Sequence, residues 1–313
     1  MTTPTVFIDG EAGTTGLGIR RRLESLAVSV RSIDARRRKD PGARRALMEE
    51  ADLVVLCLPD AASRESAELA DRLSRPPKLL DASTAFRTDP DWIYGFPEMT
   101  RGQADAIAGA VRVSNPGCYP TGAIALLRPL IEAGLLPGDH PVAINAISGY
   151  SGGGRSMIET HERDGGPAFE LYGLTLEHKH VPEIRTQAGL ALRPIFVPSV
   201  GQFAQGMLVS IPLHLDRLPG HVTGADLQAA LADWYRGSAR IRVGEDTAPS
   251  TLTAEALAGS DDMELRVFAH DGYRHALLTA RLDNLGKGAS GAAIQNIALM
   301  LGLDLPAAVP AVA

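Results

Sequence analysis

The chain has few cysteines, no excess of positive charge and no long apolar run. With two cysteines among 313 residues, it has no disulfide framework, which fits a reducing compartment. Its formal net charge of −6 argues against non-specific nucleic-acid binding, because such binding needs a large basic surface. No apolar run approaches membrane-spanning length, and residues 1–5 lack the basic and apolar regions of a signal peptide. We therefore expect a soluble cytoplasmic protein.

The first part of the chain alternates short apolar runs with helical patterns. This alternation is typical of parallel strands joined by crossover helices, which together form a doubly wound α/β sheet. The predicted strands are Thr5–Ile8, Val28–Ile33, Leu53–Leu58 and Lys78–Asp81, and the predicted helices are Gly16–Leu26, Gly42–Glu50 and Ala61–Leu73. A chain of 313 residues is long enough to hold a second domain.

The pattern changes after residue 118. A predicted helix over Pro120–Glu132 precedes longer strand-like segments, which indicate a mixed or antiparallel sheet in a second, α+β domain. The predicted strands of that sheet are Val142–Ile147, Met207–Leu215, Met263–Ala269 and His275–Leu282. A final helix, Ser290–Leu301, follows a glycine-rich segment over residues 284–289 that we interpret as a linker.

A glycine-rich turn lies between the first predicted strand and the first predicted helix. Gly10, Gly13 and Gly16 enclose Thr14 and Thr15, at the position where backbone N–H groups of a helix N-terminus bind the pyrophosphate of a dinucleotide. Two residues separate successive glycines, unlike the common Gly-x-Gly-x-x-Gly pattern. A plain tight turn is the alternative interpretation.

Cations follow the second predicted strand. Asp34 there suits the ribose 2′-hydroxyl of NAD, but Arg36, Arg37, Arg38 and Lys39 come directly after it. Because NADP carries a 2′-phosphate at this point, the cations favour NADP over NAD. A solvated charged loop is the alternative.

The strongest chemical signal is Cys118, in the octapeptide SNPGCYPT over residues 114–121. A Pro-Gly turn precedes it, and Pro120 suits the first turn of a helix. A cysteine at a helix N-terminus is favoured as the thiolate, which is the nucleophile for acyl transfer. A lone cysteine is more often an inert core residue, and Cys57, inside an apolar run, fits that description. The turn-forming and polar neighbours of Cys118 favour the catalytic interpretation.

Two histidines lie close together in His178-Lys179-His180. In an extended segment His178 and His180 would point to the same side and Lys179 to the other. A neutral histidine is a suitable acid–base partner for a thiol. A metal site is an alternative, although no further cluster completes a zinc-type ligand set. A polar surface loop is another.

A second glycine-rich segment, SGYSGGGR over residues 148–155, follows a predicted strand of the second domain. Consecutive glycines with a serine and an arginine could form an anion-binding nest for a phosphate or carboxylate. A flexible linker is the alternative.

These motifs together resemble the N-acetyl-gamma-glutamyl-phosphate reductase family, and the opening of the chain resembles its shorter, type 2 branch. The resemblance covers nearly the whole chain and rests on residues 6–16, 114–121, 149–155, 178–183 and 286–296. It implies a Rossmann-like NADP-binding domain over residues 1–117, completed by 284–313, and a catalytic and oligomerisation domain over 118–283. The family shares this two-domain plan with aspartate-semialdehyde dehydrogenase and, more distantly, glyceraldehyde-phosphate dehydrogenase.

The resemblance also implies roles for individual residues. Cys118 matches the nucleophile, and the His178/His180 pair matches the segment that supplies the acid–base group, for which we favour His180. The residues implied for substrate binding are Asn115, Ser151, Gly152 and Arg155, and those implied for the cofactor, besides the first turn and the arginine run, are Gly286, Gly288 and Asn296. We expect no bound metal. We expect a homo-oligomer, either a dimer or a tetramer.

The implied reaction is NADPH-dependent reductive dephosphorylation of N-acetyl-gamma-glutamyl phosphate through a cysteine thioester. The same fold with aspartyl phosphate or an aminoadipyl analogue is an alternative, because one methylene in a pocket discriminates by only about 1–3 kcal/mol. A non-catalytic NADP-binding protein is a further alternative, against which Cys118, His180 and Arg155 argue.

Overall fold

The computed structural model describes residues 3–244 and 249–305, which fall into two compact units. The first unit contains residues 3–97, 101–116 and 289–305. The second contains residues 98–100, 117–244 and 249–288. Residues 306–313 of the predicted C-terminal segment lie outside the described residues.

The secondary-structure elements are numbered in chain order. The strands are β1 (Thr5–Asp9), β2 (Ser29–Arg31), β3 (Leu53–Leu56), β4 (Lys78–Asp81), β5 (Ile93–Tyr94), β6 (Arg112–Ser114), β7 (Ala143–Gly149), β8 (Phe169–Leu171), β9 (Ile195–Gly201), β10 (Met207–His214), β11 (Ile241–Val243), β12 (Met263–His270) and β13 (His275–Leu282). The helices are α1 (Thr14–Leu23), α2 (Pro41–Glu50), α3 (Asp60–Asp71), α4 (Gln103–Gly109), α5 (Cys118–Glu132), α6 (Gly154–Asp164), α7 (His180–Ala188), α8 (Gly224–Trp234) and α9 (Gly291–Leu301).

The first unit is the predicted doubly wound sheet. Its strands lie in the order β2-β1-β3-β4-β6-β5, and each pairing is parallel. Side chains of β1 alternate between two cores: Phe7 packs with residues of α2 and α3, whereas Val6 and Ile8 pack with residues of α1 and α9. Because both faces are covered, β3 is apolar throughout.

The second unit contains the predicted mixed sheet, in the order β11-β12-β13-β10-β7-β9-β8. The pairings β11–β12 and β7–β9 are parallel, and the others are antiparallel. The apolar helix α5 packs on this sheet so closely that a Cβ on Gly122 would lie 2.8 Å from Cγ2 of Val209. Sheet strands such as β10, with buried residues in alternation, have one face toward α5 and one away from it.

The structure corrects the interpretation of residues 284–289 as a linker. Gly286–Ser290 form a π-helix that leads directly into α9. A Cβ on Gly286 would lie 2.0 Å from the carbonyl oxygen of Ser260, so this glycine is required by close packing and not by flexibility. The neighbouring Lys287 is buried.

Several elements carried no sequence prediction. Those of the first unit are short: β5, α4 and β6, of which α4 has one buried residue, Ile107. In the second unit the elements without a prediction are α6, α7, α8, β8, β9 and β11. No helix of the described residues is both long and apolar enough to cross a membrane.

Candidate active site

Cys118 is the first residue of α5, as expected from the turn that precedes it. Gly117 is the N-cap residue and Pro120 lies in the first turn. Cys118 is half-buried. A cysteine at this point lies beside the backbone N–H groups of the helix start, which favour the thiolate.

Glu183 connects the start of α5 to the helix that carries the histidine. Its side chain is 2% exposed, and its Oε1 accepts a hydrogen bond from the backbone N–H of Gly117 at 2.8 Å. Sequence reasoning gave Glu183 no role. Once α7 is known to begin at His180, Glu183 can be placed on the same helix face as His180, because residues three apart lie on one face of a helix.

The segment around the two histidines is not extended, so the alternation considered for an extended segment does not apply. Lys179 has a right-handed helical conformation and His180 begins α7. The rings of His178 and His180 nevertheless adjoin, with centroids 4.9 Å apart. They do so because Nδ1 of His178 accepts the backbone N–H of His180 at 3.2 Å, which turns the first ring toward the start of the helix.

The two histidines have different environments. Burial lowers the pKa of His178 from its ordinary value near 6.5 to about 4, and the positive charge of Lys179 adds to the effect. The accepting Nδ1 places the ring proton on Nε2. His180 is 6% exposed, and its ring meets the ring of Tyr119 edge-on at 5.9 Å.

Two tyrosines lie near the Cys118 thiol, and neither had a predicted role. The hydroxyl of Tyr119 donates to the carbonyl oxygen of Ser199 at 2.9 Å, and the hydroxyl of Tyr172 donates to that of Tyr119 at 3.3 Å. Burial raises the pKa of Tyr172 to about 12, and the negative charge of an ionised Cys118 adds to the rise. Burial likewise raises the pKa of Tyr119, with the charges of Tyr172 and Cys118 as smaller contributions. Both hydroxyls therefore stay protonated at neutral pH.

The second glycine-rich segment is not a flexible linker. Tyr150–Gly153 form a 3₁₀ turn that leads into α6. Ser151 is buried, and its Oγ accepts a hydrogen bond from Nδ2 of Asn284 at 2.8 Å. Gly152 and Arg155 are exposed.

Asn284 is a further residue that sequence reasoning missed. Its side chain is 1% exposed, and its Oδ1 accepts the backbone N–H of Gly206 at 2.9 Å. It therefore holds the Ser151 turn to the loop before β10. Gly288, which follows on the same stretch of chain, lies against the nucleophile: a Cβ there would be 2.9 Å from Cβ of Cys118.

In the first unit, the glycine-rich turn joins β1 to α1. Gly13 is the exposed N-cap residue of α1, and Thr14 and Thr15 form its first turn. Gly10 has a φ of +92°, and a Cβ there would lie 2.3 Å from the carbonyl oxygen of Cys57, so only glycine fits. Burial raises the pKa of the Cys57 thiol, which supports its interpretation as an inert residue.

An ion pair with a buried carboxylate lies at the strand end that leads into this turn. Asp9, the last residue of β1, accepts from Nη2 of Arg44 at 2.6 Å and from Oγ of Ser66 at 2.7 Å. Asp9 is 3% exposed. Neither Asp9 nor Arg44 was singled out from the sequence, since an acidic residue at a strand end carries no distinctive pattern.

The arginine run lies on the surface of the first unit, in a 3₁₀ turn over Ala35–Arg37. Asp34 caps this turn, with its Oδ1 accepting the backbone N–H of Arg36 at 2.7 Å. The side chain of Arg37 pairs with Asp40 at 2.9 Å. Arg36 and Arg38 are exposed.

Asn115 and Asn296 are both in the first unit and bond to each other. Nδ2 of Asn296 donates to Oδ1 of Asn115 at 3.0 Å and to the carbonyl oxygen of Gly95 at 2.8 Å. Nδ2 of Asn115 donates to the carbonyl oxygen of Ala289 at 3.1 Å. Oδ1 of Asn296 is fully buried and has no hydrogen-bond partner among the described residues.

The described residues contain no group of three or more histidine, cysteine or acidic side chains placed to hold a metal ion. The arrangement in the second unit, a cysteine at one helix start and a histidine at another, suits covalent acyl transfer with acid–base assistance.

Comparison with known proteins gives the same two units. Residues 10–107 match the model of the semialdehyde dehydrogenase NAD-binding domain, and residues 118–284 match that of the semialdehyde dehydrogenase dimerisation domain. Among solved structures, aspartate semialdehyde dehydrogenase II of Vibrio cholerae has a TM-score of 0.70 at 14% identity, covering 96% of this chain and 99% of its own. The enzyme from Francisella tularensis has a TM-score of 0.70 at 11% identity, covering 94% of this chain and 99% of its own. Likeness at such low identity shows the fold alone.

Curated relatives are much more similar in sequence. N-acetyl-gamma-glutamyl-phosphate reductase 2 of Pseudomonas putida is 51% identical over 96% of this chain and 98% of its own. The reductases of Burkholderia cenocepacia and of a Chelativorans species are 51% and 53% identical over the same shares. The chain belongs to the N-acetyl-gamma-glutamyl-phosphate reductase family.

Proposed function

We propose that this chain reduces N-acetyl-gamma-glutamyl phosphate with NADPH to N-acetylglutamate semialdehyde and phosphate, a step of arginine biosynthesis. The names of the relatives that share half of its residues support the substrate. The observation that carries the mechanism is the hydrogen bond from Gly117 to Glu183, which joins the helix start bearing Cys118 to the helix bearing His180.

Cys118 is the proposed nucleophile. Its thiolate adds to the acyl carbon, the bond from that carbon to the phosphate oxygen breaks, and phosphate leaves with the electron pair, so that a thioester forms. A bound NADPH supplies the hydride equivalent that reduces the thioester carbon. When the carbon–sulfur bond then breaks, its electron pair returns to Cys118 and the semialdehyde is released.

His180 is the proposed acid–base residue, and His178 is proposed to orient it. His178 stays neutral at pH 7 because burial lowers its pKa to about 4, and its Nδ1 is engaged by the backbone of His180. It is therefore a poor proton carrier near neutrality. His180 is left to take the thiol proton, to protonate the oxyanion of the tetrahedral adduct and to take that proton back as the adduct collapses.

Asn115, Ser151, Gly152 and Arg155 are the proposed substrate residues. The exposed Arg155 in the first turn of α6 suits two-point recognition of a carboxylate or phosphate. Ser151 accepts from Asn284, which leaves its O–H as the donor toward substrate. Asn115 is proposed to support the site, because its side chain already bonds to neighbouring groups.

The first unit is the proposed NADP-binding domain. Its residues fit the cofactor, because the α1 N-terminus with Gly10, Gly13 and Gly16 suits the pyrophosphate and the exposed arginines of 36–38 suit the 2′-phosphate. The orphaned Oδ1 of Asn296 suits an amide donor such as that of nicotinamide. The proposed functional division is residues 1–117 with 284–313 for the cofactor and 118–283 for chemistry; of the former, residues 98–100, 117 and 284–288 group with the second unit.

We also propose that the chain forms a homo-oligomer in the cytoplasm. Residues 118–284 match a family model described as a dimerisation domain. The sheet of the second unit presents exposed side chains such as Pro212 and Leu277 on the face away from α5, and self-association would cover such a face. Sedimentation of the purified chain measures its oligomeric state.

The proposed substrate is tested by a steady-state assay in the reverse direction. NADP reduction with N-acetylglutamate semialdehyde and phosphate is compared with the same assay using aspartate semialdehyde. The proposal expects a kcat/KM at least about a hundredfold higher for the acetylated substrate. Higher kcat/KM with aspartate semialdehyde would overturn the assignment of substrate.

A further inference from the structure

The second unit contains an ion pair between a buried lysine, Lys287, and a largely buried glutamate, Glu98, next in the chain to the glycine that contacts Cys118. Lys287 is 1% exposed, and its Nζ lies 2.8 Å from both carboxylate oxygens of Glu98. Glu98 belongs to the short segment 98–100 that groups with the second unit. A lysine held by both oxygens of one carboxylate has a defined position.

The backbone on both sides of Lys287 is pressed against its surroundings. On one side, a Cβ on Gly286 would lie 2.0 Å from the carbonyl oxygen of Ser260. On the other, a Cβ on Gly288 would lie 2.9 Å from Cβ of Cys118 and 3.2 Å from its Cα. Any shift of this π-helix therefore moves its contact with Cys118. π-helical turns of this kind recur at functional sites.

Glu98 is itself held by the helices of the second unit. Its carbonyl oxygen accepts from Nε1 of Trp234, the last residue of α8, at 3.3 Å. The next residue, Tyr235, donates its hydroxyl to the carbonyl oxygen of Ala125 in α5 at 2.9 Å. Burial raises the pKa of Tyr235, and the negative charge of Glu98 adds to the rise. Glu98 is thus anchored to the end of α8, which is bonded to the helix that begins at Cys118.

Stability alone does not account for such a pair. Desolvating two charges offsets most of their attraction, so an apolar pair of similar volume would often be at least as stable. The pair instead fixes the position of the Lys287 side chain, because both carboxylate oxygens of Glu98 contact its ammonium group.

We propose that Lys287 and Glu98 are positioning residues for the Cys118 thiol, which rests on the proposed role of Cys118 as nucleophile. The pair fixes the π-helix, so that Gly288 stays packed against Cys118 and the sulfur keeps its position beside the backbone N–H groups at the start of α5. Loosening the pair lets Gly288 move, and the thiolate loses part of its stabilisation by the helix start.

The test compares three variants with the full-length parent chain. Glu98→Asp keeps the charge but shortens the side chain by one methylene. Lys287→Met removes the ammonium partner of the Glu98 carboxylate, and Glu98→Gln with Lys287→Met removes both charges at similar volume. Asp164→Asn, which breaks an exposed ion pair with Arg163 in the same unit, is the control.

Two quantities are measured besides thermal unfolding. The first is the rate of Cys118 alkylation by iodoacetamide as a function of pH, read by peptide mass, with the Cys57 peptide as an internal reference. It needs no substrate, so it remains informative if the proposed substrate is wrong. The second is kcat with N-acetylglutamate semialdehyde, phosphate and NADP.

The proposal expects Glu98→Asp to unfold near the parent temperature, to raise the pH midpoint of alkylation by about half a unit or more, and to lower kcat about tenfold or more. The double variant recovers the stability that Lys287→Met loses. It does not recover the parent's pH midpoint of Cys118 alkylation or the parent's kcat. Recovery of stability, midpoint and kcat together by the double variant would show a merely structural pair and overturn the proposal. So would a parent-like midpoint in Glu98→Asp.

Discussion

The backbone N–H of Gly117 donates to Oε1 of Glu183 at 2.8 Å, and this single bond ties the residue before Cys118 to the turn of α7 that begins at His180. The cysteine and the histidine are far apart in sequence. The buried carboxylate of Glu183 therefore fixes the start of α5 relative to the start of α7, which chain connectivity does not do.

Replacing Glu183 by Ala leaves that N–H buried without its acceptor. We expect the free energy of unfolding to fall by about 1–3 kcal/mol and kcat to fall more than tenfold, because the two helix starts lose their common anchor. Glu183→Gln keeps an acceptor oxygen of the same reach and should retain most of the stability. Urea unfolding and steady-state kinetics measure both effects, and equal losses in the two variants would contradict the anchoring role.

The low pKa of His178 predicts a pH dependence of stability. The folded ring titrates near 4 instead of near 6.5, so between these values the unfolded chain binds more protons and stability falls as pH falls. The contribution of His178 is fully present above about 6.5. His178→Asn should therefore show a shallower loss of urea midpoint than the parent between pH 6.5 and 4.5, and parallel curves would refute the assignment.

We expect kcat to depend more strongly on His180 than on His178. His180→Asn keeps the size and hydrogen bonding of the side chain but removes its titrating proton, so we expect kcat to fall about 10²–10⁴-fold. His178→Asn should cost less. A greater loss at His178 would exchange the two roles, and no loss in either variant would place the acid–base group elsewhere.

The arginine run predicts cofactor selectivity. Replacing Arg36, Arg37 and Arg38 together by Ala should weaken NADP binding far more than NAD binding, because only NADP carries the 2′-phosphate. Arg72→Ala, an exposed arginine of the same unit, serves as the control. Fluorescence titration with each cofactor measures the effect, and equal loss for both cofactors would make the run a solvated loop.

Periodicity predicted the elements whose residues are buried on a regular pattern. Lys78–Asp81 and His275–Leu282 were predicted with the bounds that the structure shows, because each contains buried aliphatic residues and closely follows a turn signal, Pro76-Pro77 or Asp271-Gly272. Elements such as β5 and α4 bury too few residues to leave a pattern. The parallel sheet followed from the alternation of strand and helix before Cys118, and the mixed sheet from the longer strand-like segments after it.

The site was predictable only where local sequence determines local structure. The helix start at Cys118 follows from its turn and Pro120. The positions of Glu183, Asn284 and Glu98 depend on contacts between segments far apart in the chain, which no spacing reveals. The helix start at His180 was not predicted, because no side-chain cap signals it.

The most direct test of the account is turnover by Cys118→Ser. A serine hydroxyl is a much poorer nucleophile at neutral pH, so phosphate-dependent NADP reduction with N-acetylglutamate semialdehyde should fall by several orders of magnitude, while NADP binding stays close to that of the parent chain. Activity above about one hundredth of the parent chain would contradict a covalent mechanism through Cys118.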